Sequence, residues 1–207
     1  MSDWEVLSQQ VGVTGRVIDE QNRQPLVGAR INITRAPREF TDRLALKAVQ
    51  CGAQWITLAE RPDQTHTATD GSFYILDQPL PIGVYNLTAT MPASGTRYDT
   101  GTEKVTISRD KTGNIKRVSI DIALPATTIK GFITDKNTDD PVTMASVQIQ
   151  GSAERVFSDG SGEYLVAGLE AGKRTVLVNA HGYKTAFKAV SIKKAGITQI
   201  ANFKLEK

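Results

Sequence analysis

The sequence is poor in the residue types that most often carry chemistry. It holds one cysteine and two histidines among 207 residues. One cysteine excludes a disulfide within the chain, and two histidines cannot supply the three imidazoles of a common catalytic zinc site. His-based proton relays are equally hard to assemble from them. The composition therefore favours a protein without an active site, and we predict that the chain is not an enzyme.

Strong charge of either sign and long apolar runs are missing too. Lys and Arg number 25 against 22 Asp and Glu, and the net charge of +3 is too small for a dedicated nucleic-acid binder. No run approaches the roughly 20 apolar residues that span a bilayer. The first ten residues (MSDWEVLSQQ) lack the basic and apolar parts of a secretory signal. We therefore expect a cytoplasmic, globular protein that neither binds nucleic acid nor inserts into membranes.

The chain repeats itself, which bears directly on the number of domains. Val13–Asp19 (VTGRVID) recurs 116 residues later as Ile129–Asp135 (IKGFITD). Further on, Gly71 matches Gly162 at a spacing of only 91, so the first copy holds about 25 residues that the second lacks. The 116-residue spacing also aligns Pro25 with Pro141, Ala29 with Ala145 and Ile31 with Val147.

Short β-branched segments with period-two alternation make up most of each copy, and Gly, Pro, Asn and Asp clusters separate them. Five or six such strands per copy, each with one apolar side, predict two sheets packed face to face. The sequence therefore predicts an all-β protein of two tandem β-sandwiches. The first comprises residues 1–125, with an N-terminal extension and an insertion at about 35–66, and the second comprises residues 126–207.

Four motifs follow one another in the second copy: Gly131–Asp135 (GFITD), Ala145–Ile149 (ASVQI), Ser158–Tyr164 (SDGSGEY) and His181–Tyr183 (HGY). Their order resembles the carboxypeptidase regulatory-like domain, and the resemblance implies a seven-stranded, transthyretin-like or CnaB-like sandwich. It also implies accessory, adhesive or structural roles, because such domains serve many proteins. The first copy departs from the pattern by its insertion and by Met91–Gly95, where a Gly-Tyr pair would stand.

Three possible chemical sites were weighed against simpler interpretations. His66 and His181 lack the acidic residue that a metallocarboxypeptidase-like zinc pair needs three residues on. The Asp- and Gly-rich run Ser158–Glu163 has oxygen ligands for calcium, but it fits a plain hairpin turn better. Lys130 and Asn202 lie on the strands that an intramolecular isopeptide bond would join, yet alternation directs Lys130 to solvent. We predict no catalytic, cofactor-binding or metal-binding residues.

The insertion is the one part of the chain that a sandwich does not require. Pro37 at a first helical position, with Phe40, Leu44 and Ala48 at intervals of four, predicts a short amphipathic helix, although a strand is also compatible with Leu44, Leu46 and Ala48. Cys51 has no activating neighbour in the sequence and fits a small apolar residue. The candidate interaction surface comprises apolar residues of the insertion and of the N-terminal segment: Trp4, Val6, Leu7, Phe40, Leu44, Cys51 and Trp55.

These features predict a non-enzymatic structural or protein-interaction subunit, or an adaptor, in a larger assembly. By analogy, that assembly would be a phage tail-like contractile injection particle, built in the cytoplasm and released, with this chain as an accessory or decorating component. The alternative is a carbohydrate-binding or adhesion module. Aromatic residues form only 6% of the chain, and the candidate rings for a sugar platform are Trp4, Trp55, Tyr98 and Tyr183.

Overall fold

The computed structural model describes residues 11–58, 61–76, 80–152 and 155–207. The chain divides into two compact units, the first ending at Leu124 and the second beginning at Pro125. One short segment of the first copy, Ser94–Asp99, groups with the second unit instead. The division thus falls one residue from the predicted boundary. The sequence did not predict that Ser94–Asp99 would group with the second unit.

The first unit is a sandwich of a three-stranded and a four-stranded sheet. The strands described in this unit are β1 (Val11–Asp19), β2 (Arg30–Arg35), β3 (Gln64–His66), β4 (Ser72–Leu76), β5 (Gly83–Thr90), β6 (Gly101–Ile107) and β7 (Val118–Leu124). In one sheet β1 lies between an antiparallel and a parallel neighbour, in the order β4–β1–β7, and the other sheet has the order β3–β2–β5–β6.

The second unit has the same layout. The strands described here are β8 (Thr128–Asp135), β9 (Ser146–Ile149), β10 (Arg155–Phe157), β11 (Glu163–Val166), β12 (Gly172–Asn179), β13 (Ala186–Ile192), β14 (Thr198–Ile200) and β15 (Phe203–Leu205). One sheet has the order β10–β9–β12–β13, and in the other β8 lies between β11 and the two short segments β14 and β15, which both pair with it in parallel. These two segments are one last strand interrupted at Ala201 and Asn202.

Alternation along the strands accounts for both cores. On β8, Ile129 and Ile133 are fully buried while Phe132 is exposed, and Val13 and Val17 are buried in the same way on β1. Each unit has its own apolar core, since the strands turn alternate side chains to opposite faces of a sheet. The predicted fold class, two β-sandwiches with a partly helical insertion in the first, is confirmed. No helix in the described part of the chain is long and apolar enough to cross a membrane.

The glycine that the two copies share in their first strand has a packing role. A Cβ added at Gly15 would overlap the carbonyl oxygen of Ile120, and one added at Gly131 would overlap that of Ala201. At both positions the last strand of the unit passes directly against the first. A strand glycine at such a close approach leaves room for the neighbouring backbone.

In each unit a buried side-chain hydroxyl forms hydrogen bonds with two backbone groups, an alanine N–H and a carbonyl three residues before that alanine. The Thr67 hydroxyl accepts a hydrogen bond from the Ala29 N–H (2.9 Å) and donates one to the Leu26 carbonyl (2.7 Å). In the second unit the Ser158 hydroxyl accepts from the Ala145 N–H (2.9 Å) and donates to the Val142 carbonyl (2.7 Å). We call each arrangement a hydroxyl clamp. The repeated alanine and the hydroxyl residue therefore belong to one structural device.

Asp135 ends β8 with a buried carboxylate. Its Oδ1 accepts hydrogen bonds from the N–H groups of Asn137 (2.8 Å) and Thr138 (3.3 Å). Its Oδ2 accepts one from the Tyr183 hydroxyl (3.0 Å) and lies 3.1 Å from the Lys207 ammonium. The pKa of Asp135 is lowered from 3.8 to about 2. The hydrogen bond from the Asn137 N–H has the largest effect, and the one from Lys207 has the second largest. The Gly-Tyr motif and the chain end thus hold this turn together.

This arrangement predicts acid-dependent stability. Because the pKa of Asp135 is lower in the folded chain than in the unfolded one, its carboxylate stabilises the fold above about pH 4, and that contribution is lost as the pH falls through about 2. Asp135→Asn should lower the unfolding temperature at pH 7, and the gap from the wild type should close between about pH 4 and pH 2. Thermal unfolding over this range checks it, with the exposed Asp140→Asn as control. A gap that is constant with pH would contradict the assignment.

Candidate interaction surface

The insertion forms a helical excursion between β2 and β3. The helix α1 (Arg38–Cys51) follows Pro37 directly and continues into a 3-10 helix (Gly52–Thr57). The helical interpretation of the Phe40, Leu44 and Ala48 spacing is thus correct, and the strand interpretation is wrong. Pro37 precedes the first helical residue, where its fixed φ of −56° and missing N–H cost nothing.

Phe40 is the anchor of this helix. Its side chain is 2% exposed and meets the Tyr85 ring edge to face, with 5.7 Å between the ring centroids. The Tyr85 hydroxyl in turn donates to the Pro81 carbonyl (2.8 Å). The expectation that Phe40 belongs to an exposed interaction surface is therefore wrong, because its ring completes the core of the first unit. Leu44, one helical turn on, is half-buried.

The exposed apolar residues of the insertion are different ones. Leu46 is 60% exposed, Val49 79% and Ile56 82%; these three residues are called the insertion surface below. At about 100° per residue, Val49 lies about 180° around the helix from Phe40, and Leu46 lies beside Val49 at i−3. The helix carries apolar residues on two faces, and only the face with Phe40 is covered by its own unit.

Of the other residues of the predicted interaction surface, Trp55 and Cys51 are less exposed than Leu46, Val49 and Ile56. Trp55 is half-buried, and the Arg61 guanidinium lies over its ring, 4.6 Å from the centroid. Arg61 is held there by Asp63, whose two carboxylate oxygens accept hydrogen bonds of 2.9 and 2.6 Å and raise the Arg61 pKa. Cys51 is a half-buried free thiol. Trp4, Val6 and Leu7 lie outside the described residues.

Two of the candidate chemical sites from the sequence, the Asp159 turn and Asn202, make hydrogen bonds that hold the backbone in place. The Asp159 carboxylate accepts hydrogen bonds from the Ser161 N–H and hydroxyl and from the Glu163 N–H, as a closed turn requires. Asn202 accepts from the Phe132 N–H at 3.0 Å, so its amide holds the interrupted last strand. His66 and His181 are both exposed. Over the described ranges, no three residues of the types His, Cys, Asp and Glu come together as a metal site.

A polar groove in the second unit is lined by one carboxylate that pairs with two guanidinium groups of the same unit. Glu170 lies 3.8 Å from the Arg97 guanidinium and 3.7 Å from that of Arg174. Arg174 also donates to the Glu170 and Ala171 carbonyls, at 3.0 and 3.4 Å. The groove thus joins Ser94–Asp99 to the rest of its unit. The insertion surface is the better candidate for a functional site, because its side chains meet no covering element of their own unit.

Fold and surface together define a tandem β-sandwich whose first unit carries a helical insertion with exposed apolar side chains. Residues 128–206 match the family model of the carboxypeptidase regulatory-like domain. The resemblance predicted from the sequence is confirmed for this second copy, while the first copy is tied to it by the internal repeat. Curated proteins provide no significant match to the chain.

Several solved structures are similar to the chain at low identity. The shaft pilin SpaA from Lactobacillus rhamnosus GG is 15% identical over 94% of this chain and 95% of that chain, with a TM-score of 0.42. The Bacillus anthracis TIE protein is 16% identical over 96% of this chain, with a TM-score of 0.36. A streptococcal ancillary pilin is 17% identical over 94% of this chain and 61% of its own, with a TM-score of 0.35. This chain spans about a third (34%) of the B. anthracis protein chain.

Proposed function

We propose that this chain is a non-enzymatic structural or interaction subunit that binds another protein through the insertion surface. The observation that carries the proposal is the helix α1, which a sandwich does not need and which leaves Leu46 and Val49 exposed opposite its anchor. Exposed apolar side chains on one element are typical of a contact site. The β-sandwich of the first unit carries that element, which is anchored to it through Phe40.

The assembly proposed is a phage tail-like contractile injection particle, with this chain as an accessory or decorating component. The architecture alone supports this part of the proposal. A β-sandwich module with exposed apolar side chains on its insertion is suited to attachment to a larger particle. The chain would act in the cytoplasm during assembly and leave the cell within the released particle. Cell fractionation, together with the genes that lie beside its own, tests this part.

The triple variant Leu46→Ser/Val49→Ser/Ile56→Ser tests the role of the insertion surface. The tagged full chain is expressed in its source cells, and the fraction that co-sediments with high-molecular-mass particles is measured. We expect this fraction to fall at least about tenfold, because burial of three large apolar side chains contributes several kcal/mol to a contact. Folding should be unaffected, since exposed positions usually change stability by less than about 0.5 kcal/mol.

Phe187→Ser is the matched control, because it removes an apolar side chain that is 75% exposed on β13 in the second unit. It should co-sediment as the wild type does. Equal loss in the control, or wild-type behaviour of the triple variant, would reject the insertion surface as the contact.

Sugar binding is less well supported. The Trp55 ring is half-buried with Arg61 over one face, and Lys207 lies 5.5 Å from the centroid of the Tyr183 ring. A sugar platform needs open ring faces. Glycan-array binding that disappears on Trp55→Ala would overturn this judgement.

A further inference from the structure

The second unit has a sheet edge at β13, the last strand in the order β10–β9–β12–β13. Thr175 on β12 accepts a hydrogen bond from the Gln150 N–H (2.9 Å), so the backbone of Thr175 faces β9. Its partner on β13 is Ala189. Directly opposite residues of an antiparallel pair either face each other or face apart, so Ala189 turns its N–H and C=O away from β12. Phe187 and Ser191, two residues to either side, do the same.

These outward backbone groups are open to another strand. Within the part of the chain that the structure describes, no hydrogen bond reaches the outward N–H or C=O groups of Phe187, Ala189 and Ser191. All three residues are exposed, and the Phe187 side chain is 75% exposed. A row of unpaired N–H and C=O groups at a sheet edge is a template for the addition of a further strand.

The sheet that ends at β13 carries positive charge. Its four strands contain no Asp or Glu, and their basic residues are Arg155, Lys173, Arg174 and Lys188. Lys188 lies on β13 itself and Lys193 directly follows the strand; both side chains are exposed. Neither of these two lysines forms an ion pair with any residue that the structure describes. The edge therefore offers two unpaired ammonium groups beside its open backbone.

Acidic residues lie near the two ends of β13 only. At its beginning Glu206 pairs with Lys184, at 3.8 Å. Beyond its end the Asp99 side chain packs against Gly196. Neither carboxylate belongs to the strand, so the positive charge of Lys188 remains unbalanced along the edge.

The equivalent edge of the first unit has a different charge. Leu87 on β5 and Val176 on β12 occupy equivalent buried places in the two units. Leu87 lies opposite Glu103 on β6, and Val176 lies opposite Lys188 on β13. The first unit thus has a carboxylate where the second has an ammonium group. An acidic strand would be repelled at β6 and attracted at β13.

We infer that β13 binds an extended, acidic segment of another protein, which adds to the sheet beside Phe187, Ala189 and Ser191. Backbone hydrogen bonds to these residues hold the segment, and its carboxylates pair with Lys188 and Lys193. Lysine on an edge strand discourages pairing with neutral or basic strands, so the same side chains select an acidic one. The inference goes beyond the proposed function, because it assigns a second binding site on a different unit from the insertion surface.

A second copy of the chain is a poorer occupant of this edge. Antiparallel pairing of β13 with its own counterpart would bring two sets of the same lysines together, and like charges on neighbouring strands are destabilising. The β6 strand of a second copy offers Glu103, but Lys104 follows it directly and offsets its charge. Charge complementarity therefore favours a different, acidic chain.

Peptide binding to the full chain tests the inference. The probe is a fluorescein-labelled peptide of alternating glutamate and valine, as long as β13, and fluorescence anisotropy measures its Kd. We expect the peptide to bind, and its Kd to rise at least about fivefold from about 50 to about 500 mM NaCl, because salt screens exposed ion pairs. The same peptide with lysine in place of glutamate should not bind measurably.

Hydrogen exchange measured by NMR on the isotope-labelled full chain locates the bound peptide. In the free chain the outward amides of Phe187, Ala189 and Ser191 should exchange rapidly, whereas those of Lys188 and Val190, which face β12, should be protected. Saturation with the acidic peptide should slow the three outward amides at least about tenfold. Binding without this protection would mean that the peptide does not add to the sheet, and the inference would fail.

One variant removes a backbone donor without changing charge. Ala189→Pro deletes an outward N–H, and proline is tolerated on edge strands at such positions. It should weaken peptide binding at least about tenfold. Phe187→Ser retains every outward backbone group and should weaken binding less than Ala189→Pro does. Thermal unfolding of each variant separates loss of binding from loss of folding.

Charge variants supply a measurement that does not depend on the proline variant. Lys188→Gln/Lys193→Gln should raise the Kd of the acidic peptide about three- to tenfold. Lys104→Gln/Lys116→Gln removes the same charge from exposed positions of the first unit and should leave the Kd unchanged. An equal effect of the two double variants would show that overall charge, and not the β13 edge, attracts the peptide.

Three further results would overturn the inference. They are equal binding of the lysine peptide, unchanged binding by a folded Ala189→Pro variant, and self-association of the free chain that protects the same three amides. In each case the proposed function stands, because it is tested through co-sedimentation and the insertion surface. Conversely, peptide binding at β13 with no effect of the triple variant on co-sedimentation would support the inference and reject the proposed contact.

Discussion

Replacing Gly131 by alanine is expected to destabilise the second unit by about 3 kcal/mol or more. The added methyl group would overlap the Ala201 carbonyl oxygen, which belongs to the backbone of the last strand and cannot move aside as a flexible side chain would. β8 would have to separate from β14 and β15, with which it pairs in parallel. Urea unfolding measures the loss, and hydrogen exchange of peptides from these three strands shows where it occurs.

Gly160→Ala is the matched control for this prediction. Gly160 lies in the same unit, and a Cβ added there meets nothing within 4 Å. Its variant should stay within about 0.5 kcal/mol of the wild type. Because Gly15 occupies the equivalent place in the first unit, Gly15→Ala should destabilise that unit similarly. Wild-type stability of Gly131→Ala would show that the two strands do not approach as closely as described.

Removing a hydroxyl clamp should have the second-largest effect. Ser158→Ala removes the acceptor of the Ala145 N–H and the donor to the Val142 carbonyl, both within the buried part of the unit. An unsatisfied buried polar group costs about 1–3 kcal/mol, so we expect a loss of about 2–4 kcal/mol. Thr67→Ala should act alike in the first unit. Denaturant unfolding checks both variants.

The repeat offers a control for the clamps. Ser158→Thr introduces the residue that the first unit uses, and Thr67→Ser makes the reverse exchange, so both retain the hydroxyl. Each should be considerably more stable than the corresponding alanine variant. If Ser158→Ala and Ser158→Thr lose equal stability, packing at this position, and not the hydrogen bonds, holds the segment.

The fold could be predicted from the sequence because the evidence for it is local. Period-two alternation places Ile129 and Ile133 on one side of a strand, and a sandwich is the way to bury that side. The 116-residue repeat extended the same interpretation to both halves. The grouping of Ser94–Asp99 with the second unit was not predicted, because it depends on which surface this loop contacts. The alternation of apolar and polar residues along the strands gives no information about such a contact.

The candidate site could be predicted only in outline. The spacing of Phe40, Leu44 and Ala48 correctly indicated a helix, but the same pattern does not show whether those residues face the protein or solvent. Val49 and Leu46 would have emerged from one further step, since a helix docked through Phe40 must turn Val49 away.

The sequence by itself determined the repeat, the two β-sandwiches and the helical nature of the insertion, because each follows from periodicity between neighbours along the chain. Only the tertiary structure decided that Gly131 lies against the Ala201 carbonyl, that Ser158 joins Ala145 to Val142, and that Phe40 is core while Val49 is surface. These facts depend on contacts between residues far apart in the chain. The scarcity of cysteine and histidine argued against catalysis, and the packing of one phenylalanine determined which face of the helix stays exposed.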